Sequence, residues 1–310
     1  LGADQAAVVT TGATLPGSPM AITENVIYTT GSGIRAGVDG LLIQGNEING
    51  LGERSDDGIR LEEGIDPVGL DRARIQDNRM LALAGNGIAI HHRVENAIIT
   101  DNHFEYLGLG ALVMAEGGAA GRLRFAGNQC HQIGMAANNQ GIAYSAVQLI
   151  DVARVDLVDN SIGDVARNAS ASPEINVLRL LAVGEIRIAR NRLHAIGPDR
   201  GAGEVNAIRL PPPFDQVAID ENQIADNDAE RDGGVLSYAG VCVGAEVDRE
   251  LASVRAVGRR TTAGHTAQRG AADARVGVAQ EPFELLPGPG RTQRLGRLGA
   301  NHVPAMIDVL

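Results

Sequence analysis

Glu62 and Glu63, His91 and His92, Glu116 and Asp151 each follow closely on a short run in which apolar residues alternate. The runs are Gly58-Ile-Arg-Leu61, Gly87-Ile-Ala-Ile90, Ala111-Leu-Val-Met114 and Ala146-Val-Gln-Leu149. An imidazole that titrates near neutrality beside a carboxylate that orients it is what general acid–base catalysis requires. His91, His92, Glu62, Glu63 and Glu116 are therefore the candidate catalytic residues. On an acidic chain the same residues would equally make a solvated turn edge.

A second set lies inside the runs, which recur as Val177-Leu-Arg-Leu180 and Ala207-Ile-Arg-Leu210. The residue between the two apolar positions is in turn Arg60, Ala89, Val113, Gln148, Arg179 and Arg209. Guanidiniums on neighbouring strands repel unless an anion lies between them, so Arg179 and Arg209 suit a sugar carboxylate or phosphate. Arg60, Gln148, Arg179, Arg209 and Asp151 form the candidate substrate-binding set; pairing with local Asp or Glu is the plainer alternative. Asp56-Asp57 with Glu62 could hold calcium, although paired Asp before a Gly is ordinary turn chemistry. No metal site is otherwise expected, and no cofactor.

These sets converge only if the runs are stacked, and a repeat says that they are. Seven segments align on an Asn: Leu42-Ile-Gln-Gly-Asn46-Glu-Ile48, Ala73-Arg-Ile-Gln-Asp-Asn78-Arg-Met80, Ala97-Ile-Ile-Thr-Asp-Asn102-His-Phe104, Leu123-Arg-Phe-Ala-Gly-Asn128-Gln-Cys130, Val155-Asp-Leu-Val-Asp-Asn160-Ser-Ile162, Ile186-Arg-Ile-Ala-Arg-Asn191-Arg-Leu193 and Val217-Ala-Ile-Asp-Glu-Asn222-Gln-Ile224. The Asn spacings are 32, 24, 26, 32, 31 and 31 residues, which suits a coil of three short strands with one loop of variable length. Alternation within each copy is the mark of a strand with one buried face. The Asn turns the chain, being tolerant of left-handed backbone, and stacked copies would form a ladder of side-chain hydrogen bonds. Asn46 to Asn222 are accordingly structural. The apolar pairs Ile59/Leu61, Ile88/Ile90, Leu112/Met114, Val147/Leu149, Leu178/Leu180 and Ile208/Leu210 are expected to point inward.

The pattern over roughly residues 22–243 resembles the pectate-lyase-like superfamily. That resemblance implies an all-β fold, a right-handed single-stranded parallel β-helix, and by fold analogy alone an extracellular or surface location. It does not imply an activity, because such folds serve lyases, hydrolases, epimerases, tailspikes, adhesins and inert shafts. The arrays of polygalacturonases, alginate epimerases and pectate lyases are absent from this sequence, which contains no Lys.

Composition agrees with a solenoid: 40 Gly, 4 Phe, 4 Tyr and no Trp leave an aliphatic core turned on Gly and Asn. Scarce aromatics disfavour a long sugar-binding groove, which normally stacks rings on Trp or Tyr. A net charge of −11 excludes nucleic acid as a partner, and no apolar run is long enough for a membrane span. Cys130 and Cys242 are too far apart in sequence to indicate a disulfide framework or a zinc site.

Residues 1–40 are expected to form an entry rung or cap, 41–243 the repeats, and 244–310 degenerate rungs with a long loop or a C-terminal cap. Residues 1–243 carry 18 Arg against 31 acidic residues, whereas 244–310 carry 9 against 7, so the tail differs in kind. The first residues do not read as a signal peptide, and a start at Leu1 instead of Met suits a removed leader or a piece cut from something longer; the end in Ile307-Asp-Val-Leu310 suits a piece of a longer solenoid with self-association or an assembly partner. The first functional expectation is a non-catalytic β-helix module, a shaft, surface or tail-type element. The rival is a carbohydrate-active enzyme, a lyase, hydrolase or epimerase acting on an acidic polysaccharide.

Overall fold

A computed structural model describes residues 5–11, 19–51, 55–62, 70–136, 144–169, 174–198, 204–225 and 240–242, and the backbone alone of 237–239, 243, 254–256 and 275–276. The chain divides into two compact units, Leu1–Val278 and Ala279–Leu310, of which the second lies outside the described residues. The described part of the first is an all-β parallel β-helix. Parallel crossovers of this kind wind right-handed in nearly all cases.

Each coil carries a lead, a middle and a trailing strand. The lead strands begin with Ala6–Thr11, Ser32–Gly37, Ile59–Leu61, Ile88–Ile90 and Leu112–Met114, each paired in parallel with the next. In the sixth and seventh coils lead and middle strands run on without a break, as Tyr144–Val158 and Glu174–Ala189. The eighth coil holds Glu204–Leu210 and Gln216–Ala225, and Ser237–Val243 pairs onto it in parallel. Beyond that, Val254–Ala256 pairs with Arg275–Val276 in antiparallel fashion, and the remainder of 244–310 is outside the described residues.

The inward faces make one continuous core. All the apolar pairs expected to point inward from the lead strands are at most 1% exposed. The trailing strands add Ile48, Met80, Phe104, Cys130, Ile162 and Leu193. Phe104 stacks on Phe125 with ring centres 6.3 Å apart, and Tyr144 is the other aromatic buried in this largely aliphatic core. Burial pushes the Cys130 thiol far above its usual range, so it packs as a small apolar group.

Between middle and trailing strands the Asn side chains form the expected ladder, one coil longer than the sequence suggested. Asn25 Nδ2 donates to Asn46 Oδ1 at 2.9 Å, and the chain of bonds continues through Asn78, Asn102, Asn128, Asn160, Asn191 and Asn222 at 2.9–3.1 Å. Each oxygen also accepts the preceding Asn's backbone N–H, as Asn128 Oδ1 does from Asn102. Each amide reaches back to a carbonyl of the coil before, as Asn128 does to Ile99.

The left-handed conformation sits one residue earlier than expected. Glu24, Gly45, Asp77, Asp101, Gly127, Asp159, Arg190 and Glu221, each just before the Asn, have φ between 55° and 67°. Turning there leaves the Asn side chain buried and aimed along the axis.

Candidate functional site

Strand register places the outward residues of the lead face in the expected column. Arg35 stacks on Arg60, followed by Ala89, Val113, Gln148, Arg179, Arg209 and Cys242. Like charges brought together by the register are neutralised within the wall. Glu62 Oε1 and Oε2 take Arg35 Nε at 3.0 and 3.1 Å, Arg35 Nη2 reaches Oε2 at 2.7 Å, and Arg60 Nε approaches Oε1 to 2.6 Å. Glu62 thus joins two stacked guanidiniums instead of facing a substrate.

A similar arrangement serves Arg209. Its guanidinium lies 3.8 Å from Glu174 and 3.6 Å from Glu204, and donates to Cys242 Sγ. Glu204 also accepts from Asn206, which donates to Asn176, a second and shorter pair of stacked buried amides. Arg179 sits between Gln148 and Arg209; its Nε, like that of Arg60, is buried without a hydrogen-bond partner, but unlike Arg60 it has no carboxylate within ion-pair distance among the described residues.

The expected rim of imidazoles and carboxylates does not converge. The column through Glu62 and His91 continues with Ala115, because Ala115 N–H bonds Ile90 O as His91 N–H bonds Leu61 O. Glu116 falls one residue out of register and is exposed, as is Asp151. His91 Nε2 lies 3.9 Å from Asp57, which is buried and accepts two hydrogen bonds from Asn86 at 2.9 Å. His92 Nε2 is buried without a partner. Glu63 lies outside the described residues. Asp56 is raised above the usual carboxylate range by burial and by Asp57, while Glu62 is turned to the arginines. Among the described residues no three His, Cys, Asp or Glu side chains are placed to share a metal ion.

A different cluster lies on the trailing face. Two outward columns run there, Arg79, His103, Gln129, Ser161, Arg192 and Leu81, Glu105, His131, Gly163, His194. They border an open hollow of about 510 Å³ whose side chains include His103, Glu105, Gln129, His131, Ser161 and His194. The hollow opens over Ser161, a small residue between Gln129 and the larger groups of the next coil, and the His194 ring, seated over Gly163, walls one side of it. A Cβ at 163 would run into the His194 ring, which lies over the glycine.

Every carboxylate at this hollow has a partner. His103 Nε2 is 3.2 Å from Glu105 Oε2, with Arg79 at 3.9 Å; His131 Nδ1 is 3.0 Å from Asp164 Oδ2; Arg190 clasps Asp159 through two bonds of 2.7 Å. Burial, then the Arg192 charge, hold the His194 imidazole below its usual range, with Asp164 acting in the opposite sense and His131 in the same one. The result is a charge-balanced array of imidazoles, an amide and a hydroxyl. No hydrogen bond joins Ser161 to either neighbouring imidazole, so these residues do not form a nucleophile–base pair.

Sequence reasoning passed over this cluster because its members occupy the first and third positions after each Asn, inside segments that served only to mark a turn. Reading those positions vertically, as was done for the lead strand, brings His103, His131 and His194 onto one face.

Matched against protein-family models, curated proteins and solved structures, the chain finds no counterpart in any of the three comparisons. Among the described residues no helix is long and apolar enough to cross a membrane.

Proposed function

We propose that this chain is a non-catalytic β-helix module of the pectate-lyase-like kind, a shaft or surface element that presents binding faces along its length. One observation carries the reading: most of the arginines of the lead face are ion-paired within the wall. Arg35 and Arg60 share Glu62, and Arg209 lies against Glu174 and Glu204. Catalytic groups need to be poised toward a substrate, whereas these satisfy the wall that bears them. The fold's parallel coils and Asn column support the superfamily placement.

Arg179 favours a second reading, in which the lead face holds an acidic polysaccharide and the chain is a carbohydrate-active enzyme. A buried guanidinium nitrogen without an acceptor is costly, and a ligand carboxylate would satisfy it. Incubating the protein with uronate polymers separates the two. The module reading expects no new chain ends and no unsaturated products. Turnover that disappears in the His91→Ala/His92→Ala double variant or in Arg179→Gln would replace it with the enzyme reading.

A further inference from the structure

We propose that the hollow on the trailing face is a binding site for a neutral, hydroxyl-rich sugar chain, held by His131, His194, Gln129 and Ser161 and bounded by His103 and Glu105. The site lies on a different face from the lead-strand column, and it stands whether or not that face binds anything.

The shape comes first. Strands of successive coils are about 4.8 Å apart, so one coil of small residues between two coils of large ones leaves a notch about 10 Å across. Ser161 is the small residue, with Gln129 and His131 on one side and, on the other, His194, whose ring covers Gly163 and closes that end of the notch. A pyranose ring fits such a notch, and a chain of them would lie along it.

The chemistry then selects the ligand. With Glu105, Asp159 and Asp164 each already partnered, the cluster has no unmet carboxylate that calls for a cation. Because Arg79 and Arg190 at the rim are likewise matched by carboxylates, they offer no excess positive charge to draw in a polyanion. What remains are groups that both donate and accept: imidazoles, a primary amide and a hydroxyl. Carbohydrate hydroxyls are likewise donor and acceptor at once, so each can bridge two of these side chains. Carboxylates fixed by Arg79 and by His131 retain further lone pairs for sugar hydroxyls.

No aromatic side chain borders the hollow, so a ligand gains hydrogen bonds without the stacking area that Trp or Tyr supplies. Dissociation constants on the order of 1 mM are expected. Binding of that strength suits a repeated surface that gains avidity from many copies or many sugar units.

The test is an NMR titration of the full chain with neutral cello-, manno- and xylo-tetraose, with tetragalacturonate as the acidic probe. Saturable shifts of the His131 and His194 imidazole resonances with at least one neutral probe, and at least fivefold weaker binding of tetragalacturonate, are expected. Gly163→Val takes the space that the His194 ring occupies, so that the ring no longer walls the hollow, and should weaken binding at least tenfold. Its unchanged amide spectrum elsewhere would show that the coil is intact. Ser161→Gln fills the same notch without touching the glycine and should act alike. Val9→Ser, at an exposed position of the first lead strand and outside both candidate sites, should bind as the parent does. The proposal is overturned if no neutral probe shifts these resonances at about 20 mM, if the acidic probe binds better, or if both notch-filling variants bind undiminished.

Discussion

The Asn turn shows how little of a residue's role its own conformation needs to carry. Placing the positive φ at the residue before it costs about 1–2 kcal/mol wherever that residue is not Gly, yet it frees the Asn to bond three coils at once. Asn128 links Ile99 O, Asn160 Oδ1 and the Asn102 amides. Replacing it with Ala leaves a backbone N–H and a carbonyl buried and unpaired, at about 1–3 kcal/mol each. Asn128→Ala should therefore lose roughly 3 kcal/mol or more in urea unfolding, whereas Asn25→Ala, at the end of the column, should lose less than about 1 kcal/mol. His194 offers a second residue-scale test. Burial and Arg192 depress its folded pKa, so the unfolded chain binds the proton more readily. The stability it permits is intact above its unfolded pKa and declines as pH falls through about 6.5 toward the folded value. An imidazole NMR titration should give a midpoint below that of a free histidine, and Gly163→Ala, by pushing the ring out, should raise it.

At the scale of the element, what was legible in the sequence was whatever repeats. The apolar positions of lead and middle strands, the Asn turns and the outward column Arg60 to Arg209 follow from period-2 alternation and a coil length near thirty residues. Partners across the column were not legible, because nothing in a linear reading says that Glu62 folds back between Arg35 and Arg60 instead of facing outward. Spacing does say that Ala115, not Glu116, continues the column of His91, since Ile90 aligns with Met114, and it sets Glu116 one position further on. The hollow at Ser161 was hidden for a related reason: it is made by a small residue in a single coil, and it is visible only against the larger groups above and below. The ion-pair group is testable. Glu62→Gln leaves two stacked guanidiniums without a countercharge, and the half-buried site should lose about 1–2 kcal/mol. Thermal melts should show that loss shrinking at high salt, which screens the residual repulsion. An unchanged melt would mean that the arginines find other partners.

As a whole, the described body is a stack in which each coil touches only its neighbours, so stability is close to a sum of coil and interface contributions. Function on such a body is read along a face, across coils, and the two faces described here differ in kind. The lead face is a column of self-neutralised charge interrupted at Arg179, and the trailing face is a hollow of neutral polar groups. Both depend on the same premise, that one winding brings residues 21 to 35 positions apart into contact. The direct measurement is NMR of the asparagine side-chain amides. Successive cross-peaks linking Asn46, Asn78, Asn102, Asn128, Asn160, Asn191 and Asn222, with amide protons that exchange far more slowly than those of a free asparagine, are the expected result. Amides that exchange freely and show cross-peaks only to their own sequence neighbours would contradict the winding, and with it both faces.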